Sequence, residues 1–486
     1  MKVHIINKGI TLEAEAGQRL LDVLRNAGVM VDAPCGGKGS CGKCKVLVDG
    51  SEVLSCRYMI QKDITVEVPE QKKTTVLTEG LSLTVQPDSS DRYCLAFDLG
   101  TTTVVAFLMD GFTGEILSRA SCVNPQSQYG ADVISRIQHA MDGEAESLSR
   151  CVRDALAELT RQAAKDAGID PEEITAVSLV GNTAMHHLLL GIDPKPLTVP
   201  PYMPFVSHAM EVKADFLPVA ANTMIRILPN IAGFVGADTV GCLVATEFDK
   251  LEEMTLMIDI GTNGEMVLGN KDGFLACSTA AGPAFEGAKI SCGMRAADGA
   301  IDHVWIENGE VKVSVIGNVT PVGICGSALL DAIAVFLKLE MIAESGRVLT
   351  EDKLLHLAPT VALTQNDVNE LQFAKGAIAA GIEMMAADLG IEIEEIQAVY
   401  LAGAFGNYMN PESACYIGLI PYELRERIKP CGNAAGKGSQ MAAVSLEAYK
   451  YASMLAEQSD FLDLAAQEDF QDTYVEHLYF EEIDDE

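Results

Sequence analysis

The sequence predicts a multidomain chain of 486 residues, with a small α+β unit of β-grasp type followed by a duplicated α/β unit of two lobes. Three observations carry this. Four cysteines, Cys35, Cys41, Cys44 and Cys56, crowd a glycine-rich stretch near the start. Two strand-ending turns, Asp98-Leu99-Gly100-Thr101-Thr102-Thr103 and Asp259-Ile260-Gly261-Thr262-Asn263-Gly264, lie far apart in the chain. The strands and helices around each turn repeat in the same order at a period of about 160 residues, too long for a solenoid repeat.

The first unit spans residues 1–69. Short strands at 3–6 and 10–14 flank Asn7-Lys8-Gly9, a turn with glycine at its end. Leu20, Leu21 and Leu24 at helical spacing predict a helix over 18–27, stopped by Gly28. Strands at 45–48 and 64–68 complete a unit small enough to need a metal staple. Residues 70–92 are polar and irregular and read as a linker.

The first lobe is expected over 93–250. Strands at 95–99, 104–108 and 115–118 precede helices near 130–140 and 144–167, then a buried strand at 176–180. The second lobe, over 251–456, repeats this with strands at 255–260, 266–268 and 274–278, helices at 326–340 and 367–389, a buried strand at 398–402 and a helix at 437–456. Residues 457–486 are expected to form a solvated acidic tail, because the last 30 residues hold twelve acids and no Lys or Arg.

Net charge is −34, which argues against nucleic acid or anionic lipid as a partner. The first 70 residues are balanced, with nine basic and nine acidic side chains. The chain start has no apolar signal core, and no run of 18 apolar residues occurs, so a cytoplasmic protein without a membrane span is expected. Nine of the 13 cysteines are scattered singly, the usage of a reducing compartment.

The remaining four have a spacing that carries chemistry. Cys35, Cys41 and Cys44 form C-x5-C-x2-C, with Cys56 returning. Four thiolates, three on one loop, suit a two-iron two-sulfur cluster, and the glycines let backbone N–H groups approach the sulfurs. Zinc is the competing occupant, disfavoured by the wide first gap and the dense glycine. Each Asp-x-Gly-Thr turn can wrap phosphate oxygens with backbone N–H groups (Gly100, Thr101, Thr102, Thr103; Gly261, Thr262, Asn263, Gly264). Asp98 and Asp259 stand where they can hold Mg2+ through water. A third element, Gly403-Ala404-Phe405-Gly406, follows the strand at 398–402 and offers small residues for an adenosine.

The cysteine pattern resembles the two-iron ferredoxin superfamily. The two turns and the third element resemble the actin, sugar-kinase and heat-shock-chaperone ATPase superfamily, an RNase H-like fold. In that resemblance Gly323-Ile324-Cys325-Gly326-Ser327 opens the helix connecting the lobes. Asn124-Pro125-Gln126, Gly130-Ala131-Asp132-Val133, Gly181-Asn182-Thr183-Ala184-Met185-His186-His187 and Gly282-Pro283-Ala284-Phe285-Glu286-Gly287 narrow the match. With the cluster they look like the reductive activators of corrinoid proteins. That resemblance implies ATP-dependent one-electron reduction of Co(II) to Co(I), rescuing the corrinoid of a methyltransferase system. It also implies a corrinoid protein as acceptor, a low-potential donor protein or flavoenzyme, and a homodimer. Larger members carry a further domain between cluster and ATPase, where this chain has only the linker.

Asp132 and Glu286 are candidates for orienting the attacking water, against capping or surface pairing. His186 and His187 read as core or hydrogen-bonding residues near a loop. Lys375 reads as solvated, with ribose contact as the alternative. Competing functions are ATP-gated electron transfer to another low-potential enzyme, a small-molecule kinase with a regulatory cluster, and a redox-sensing chaperone-like module.

Overall fold

A computed structural model describes residues 1–69, 81, 86–88, 92–261, 263–282, 284–287 and 289–481, and for Ala404 the backbone alone. Thr262 and nearly all of the expected linker lie outside the described residues. Asp88, at the linker's end, accepts hydrogen bonds from Ser445 Oγ and the Leu446 N–H.

Alternating apolar residues make the N-terminal strands amphipathic, so one face must be covered. Strands β1 (Lys2–Ile5), β2 (Ile10–Glu13), β3 (Lys45–Val48), β4 (Ser51–Leu54) and β5 (Ile64–Glu67) form one sheet in the order β2-β1-β5-β3-β4. Strands β1 and β5 are parallel and the other pairs antiparallel. Helix α1 (Leu20–Asn26) supplies Leu20, Leu21 and Leu24 to a core shared with Val3, Ile5, Ile64 and Val66. This is the expected β-grasp.

Lobe I contains β6 (Tyr93–Leu99), β7 (Thr103–Asp110), β8 (Ile116–Val123), α2 (Val133–His139), α3 (Ala145–Ala167), β9 (Ile174–Gly181), α4 (Thr183–Leu190), β10 (Met210–Lys213), β11 (Met224–Ile227) and α5 (Ala237–Thr246). Lobe II begins with β12 (Thr255–Ile260), β13 (Gly264–Asn270) and β14 (Gly273–Thr279). It continues through β15 (Ala300–Glu307), β16 (Glu310–Val315), β17 (Gly323–Ile324), α6 (Gly326–Lys338), β18 (Leu354–Ala358), β19 (Val361–Thr364) and α7 (Gln365–Leu389). It closes with β20 (Ala398–Ala402), α8 (Gly403–Tyr408), α9 (Pro411–Tyr416), β21 (Ile428–Gly432), α10 (Ala434–Val444) and α11 (Leu446–Gln458).

The duplication is visible in strand order. Lobe I reads β10-β11-β9-β6-β7-β8 and lobe II β21-β20-β12-β13-β14-β22, where β22 is Ser459–Phe461. In both, three antiparallel strands are followed by two parallel additions, β9 and β11 in lobe I and β20 and β21 in lobe II. The extra strand of each sheet, β10 or β22, lies at opposite ends.

The lobes exchange helices. Helix α10 follows the last parallel strand of lobe II, yet Ala443 and Val444 pack with Ala96, Val105, Phe107 and Ala176 of lobe I. Ser178 Oγ donates to the Ser439 carbonyl at 2.6 Å, and Ser439 Oγ to the Phe97 carbonyl at 3.0 Å. Helix α5 follows the last strand of lobe I, and its Val240 and Leu243 share a core with Met257, Val267 and Ala276 of lobe II. The two helices cross at Gly241 and Gly438, where a Cβ on Gly438 would overlap the Gly241 carbonyl. Sequence resemblance assigns the lobe-connecting role to α6; α6 instead lies in the lobe II core, its Leu329 and Ile333 clustered with Ile301 and Val304, and α5 and α10 make the crossing.

The acidic C-terminal stretch also departs from expectation. Strand β22 pairs with β14, and α12 (Phe470–Glu476) is followed by Phe480, which is 2% exposed. Enough apolar side chains are interspersed among its acids (Leu462, Leu464, Phe470, Phe480) to pack on lobe II, so residues 459–481 are built into the fold. Lys375 is buried rather than solvated. Its ammonium donates to the Tyr479 carbonyl at 2.5 Å and faces the Phe480 ring at 5.2 Å; burial lowers its pKa to about 8.

Candidate functional site: an interlobe cleft beside a cysteine loop

The two Asp-x-Gly turns face each other across a cavity of about 400 Å³ lined by both lobes. In lobe I, Asp98 sits one residue before the end of β6, and Gly100, Thr101 and Thr102 make the turn into β7. A Cβ on Gly100 would lie 2.7 Å from the Thr103 carbonyl, so the hairpin is too tight for another residue. The turn is held from outside. Asn124 Nδ2 donates to the Gly100 carbonyl at 2.8 Å, Arg136 Nη2 to the Thr101 carbonyl at 2.6 Å, and Asn182 Nδ2 to Thr101 Oγ1 at 2.8 Å. In lobe II, Asp259 occupies the equivalent place in β12, opposite Glu265 in register. The Gly261 N–H donates to the Asn263 carbonyl at 2.8 Å.

Gly403 has a left-handed backbone (φ +79°), and a Cβ there would collide with Asp259 Oδ1. Phe405, on the same turn of α8, stacks against Phe285 with ring centroids 4.8 Å apart and lines the cavity. Ala404 lies between them in α8. Gly264 and Gly406 stand behind the wall, Gly264 as the first residue of β13 and Gly406 packed against Leu401. The cleft therefore gathers Asp98, Gly100, Thr101, Thr102, Thr103, Asp259, Gly261, Asn263, Gly403, Phe405 and Glu286.

Asp132 is a correction. Its carboxylate accepts from the Ser135 N–H at 2.7 Å and from Ser135 Oγ at 2.9 Å, capping α2, and it does not line the cavity. Glu286 does, and accepts from Thr102 Oγ1 at 2.7 Å. His186 and His187 are buried on α4 rather than at a loop. His187 Nδ1 donates to the Thr183 carbonyl at 2.7 Å while its Nε2 accepts from the Phe205 N–H, which fixes a neutral ring.

Several residues escaped the sequence reading. Asp238, in the first turn of α5, and Glu265 join Asp98 and Asp259 in the cavity wall. Asn433, the N-cap of α10, donates to Asp98 Oδ2 at 2.8 Å. Asp302 and His303 line the far side, and Asp302 Oδ1 is buried without a hydrogen-bond partner. The signal for Asp238 and Asn433 lay only in their position at the two helix starts after the parallel strands. Burial raises the carboxyl pKa values, Asp98 to about 6 against the Asn433 hydrogen bond, and nearby carboxylates add to it for Asp238, to about 6, for Asp259, to about 7, and for Glu265, which lies well above its ordinary value. Crowded carboxylates with raised pKa values suit a hydrated divalent cation, which would relieve that repulsion.

The cysteine loop lies on the α1 side of the β-grasp unit. Cys41 Sγ is 3.2 Å from Cys35 Sγ. Burial pushes the Cys35 thiol up, but N–H groups of Cys41, Ser40 and Gly37 and the Cys41 thiol outweigh it and bring it down to about 6. Burial and the neighbouring Cys44 push the Cys56 thiol up to about 11. Among the described residues no three such side chains are gathered closely enough for a single metal ion. A two-iron cluster spreads four thiolates over two irons, and a loop that aims N–H groups at a ready thiolate fits it.

Comparison with known proteins bears on both sites. The model for the 2Fe-2S iron-sulfur cluster binding domain matches residues 3–78, and Cys35, Cys41, Cys44 and Cys56 lie within it. The RACo middle region matches 93–251 and the RACo C-terminal ASKHA domain 253–486. The corrinoid activation enzyme RamQ of Eubacterium limosum is 36% identical over 419 residues, 80% of this chain and 70% of that one. The chain belongs to the family of reductive activators of corrinoid proteins. A solved activator, the reductive activator for corrinoid, iron-sulfur protein, superposes with a TM-score of 0.72 at 29% identity, covering 99% of this chain and 98% of that chain. The [Co(II) methylated amine-specific corrinoid protein] reductase of Methanosarcina barkeri is 34% identical over 225 residues, 41% of either chain. The match to the middle region falls on residues 93–251, which form lobe I here, so that region of the family is present and the expectation of a bare linker in its place is corrected. Among the described residues no helix is long and apolar enough to cross a membrane.

Proposed function

We propose that this activator couples ATP in the interlobe cleft to one-electron reduction of a corrinoid protein from Co(II) to Co(I), returning it to a methyltransferase system. The observation that carries the reading is the pairing of two equivalent Asp-bearing turns across one cavity with a four-cysteine loop beside it. Backbone N–H groups of the Gly100–Thr103 and Gly261–Gly264 turns bind the phosphates, and Asp98 and Asp259 hold Mg2+ through its water. Phe405 and Gly403 receive the adenosine. Glu286, beside Thr102, orients the attacking water, while the low polarity of the Phe285–Phe405 pair excludes bulk solvent from that end.

When bound to Cys35, Cys41, Cys44 and Cys56, a two-iron cluster supplies the one-electron relay between a low-potential donor and cobalt. Lys38, Lys43 and Arg57 lie on or beside the cysteine loop and offset its negative charge. The Arg57 guanidinium holds the loop by donating to the Gly39 carbonyl at 2.6 Å. Biasing a two-state equilibrium from 1:99 to 99:1 takes ~5.5 kcal/mol, which for one electron corresponds to roughly 240 mV. A lobe closure of that energy is enough to draw an unfavourable electron transfer forward by trapping its product.

The test is anaerobic. Reconstituted protein, a Co(II) corrinoid protein, Mg-ATP and a mild reductant are mixed, and the visible spectrum is followed for Co(I). ATP-dependent Co(I) formation is expected. ATP hydrolysis with no Co(I) across several corrinoid proteins would direct the reading to another acceptor, and phosphorylation of an added alcohol or carboxylate would make it a kinase.

A further inference from the structure

The cysteine loop is docked on both lobes at the mouth of the cleft. On the lobe I side it meets residues 124–132, the connection between β8 and α2. Arg25 Nη2 donates to the Gln128 carbonyl, and the guanidinium lies 5.0 Å over the Tyr129 ring. The Ala131 N–H donates to the Pro34 carbonyl at 3.0 Å. Gly36 is left-handed (φ +63°) and backs onto Tyr129, whose carbonyl would lie 2.7 Å from a Cβ at that position.

The same segment is bolted on its other side to the first phosphate turn. Asn124 binds the Gly100 carbonyl, and Arg136 bridges the Thr101 and Gly130 carbonyls at 2.6 and 2.9 Å. On the lobe II side, Lys43 Nζ donates to the Gly287 carbonyl at 3.3 Å. Gly287 follows Glu286, the residue bonded to Thr102 across the cleft.

We propose that Arg25 and Lys43 are positioning residues that dock the cysteine loop across the two lobes, and that nucleotide in the cleft loosens this docking. The proposal rests on the nucleotide reading of the cleft given above. A phosphate received by the Gly100–Thr103 turn takes the Thr102 hydroxyl, so Glu286 must give up that bond as it turns to the attacking water, and phosphate and the Thr102–Glu286 bond exclude each other. Displacing Glu286 carries Gly287 with it and withdraws the acceptor of Lys43.

The Arg25 anchor is suited to release. It is 6% exposed, yet its Nε and Nη1 make no hydrogen bond and Nη1 has only a 4.0 Å ion contact with the half-buried Asp22, so burying it gains one hydrogen bond, a ring contact and a long ion pair against the cost of desolvating a cation. An interface of a few polar contacts between units of one chain opens readily. By linkage, if nucleotide weakens docking, docking weakens nucleotide binding by the same factor. The empty cleft then holds the cysteine loop in place, and the loaded cleft frees it to meet donor and acceptor.

The experiment uses the full-length, cluster-loaded protein with Mg2+ and a non-hydrolysable ATP analogue. Hydrogen exchange is followed in residues 33–45 and 128–131, and analogue affinity is measured by calorimetry for the wild type, Lys43→Ala, Arg25→Ala and Arg25→Lys. The analogue is expected to raise exchange in both segments of the wild type. Lys43→Ala and Arg25→Ala are expected to bind the analogue at least about threefold tighter, with Arg25→Lys closer to the wild type. Lys43 is only half-buried and carries no core packing, so Lys43→Ala keeps the test open even where Arg25→Ala fails to fold. Analogue binding with unchanged exchange in 33–45 and unchanged Lys43→Ala affinity would overturn the docking proposal alone. No binding of the analogue to the wild type would overturn the nucleotide reading, and the docking proposal with it.

Discussion

Thr102 and Glu286, 184 residues apart, join the two lobes by a hydrogen bond of 2.7 Å from the threonine hydroxyl to the carboxylate. Thr102 belongs to the first phosphate turn, and Glu286 to the loop after β14. This sets the Glu286 carboxylate against the turn proposed to receive the phosphates, whereas Asp132 is spent as a helix cap. Glu286→Gln should lower ATP turnover about 10²-fold with the affinity for Mg-nucleotide held within roughly fivefold. Asp132→Ala should leave turnover near wild type and cost ~1 kcal/mol of stability. Steady-state ATPase assays with thermal melts check both, and equal losses of turnover in the two variants would remove Glu286 from its role.

The carboxylates of the cleft give a pH signature. Asp98, Asp238 and Asp259 have ordinary pKa values of 3.8, raised in the fold to about 6, 6 and 7 by burial, with repulsion from neighbouring carboxylates adding at Asp238 and Asp259. Between pH ~4 and ~7 the folded protein therefore holds protons that the unfolded chain has released, and stability falls as pH rises through that window. Above pH 7 this contribution is flat. Mg2+ should bind with proton release and recover most stability near pH 7–8. Melting temperature from pH 5 to 8, in EDTA and in Mg2+, measures this, and Asp259→Asn should flatten the slope. A variant with the wild-type slope would show that Asp259 is not the titrating group.

Four of the 13 cysteines are expected to matter for iron. Cys44→Ser should lose the visible absorption and the roughly two irons per chain that a two-iron cluster supplies, while ATP turnover in the lobes persists. Cys415→Ser, a change in the lobe II core, should keep the iron. Full iron content in Cys44→Ser would show that the cluster is bound by another set.

The C-terminal segment is structural. Phe480→Ala removes a ring that is 2% exposed and covers the Lys375 ammonium, and should cost ~3 kcal/mol. Lys375→Met should be far milder, because a buried cation bonded to one carbonyl replaces readily with an apolar side chain of similar length. Urea titrations compare the two, and a Phe480→Ala protein as stable as the wild type would return the segment to a solvated tail.

Much of the architecture was written in local patterns. Leu20, Leu21 and Leu24 announce α1, and the two Asp-x-Gly turns announce equivalent hairpins, because helix periodicity and tight-turn chemistry are properties of neighbouring residues. Asn433 on Asp98, Asp238 in the cavity and Lys375 under Phe480 were not legible, since each contact joins residues brought together only by the whole topology. The acidic tail misled for a related reason: its charge is counted along the chain, whereas its fate is set by a few apolar side chains that find partners on α7 and β14. Glu286 and Asp132 looked alike in sequence, and only the register of α2 separates a cap from a cleft residue.

The exchange of α5 and α10 has a consequence for anyone dividing this protein. The boundary between the matched regions falls at residues 251–253, but a cut there severs neither lobe cleanly. The first fragment would lose Ala443, Val444 and the Ser439 bonds that seal the face of β6 and β9, and would leave uncovered the side of α5 that packs on Met257 and Val267. The second would carry α10 with nothing to cover and an uncovered patch at Met257 and Val267. Separate expression should give two sticky halves that recover order on mixing, a split-protein complementation pair rather than two autonomous domains.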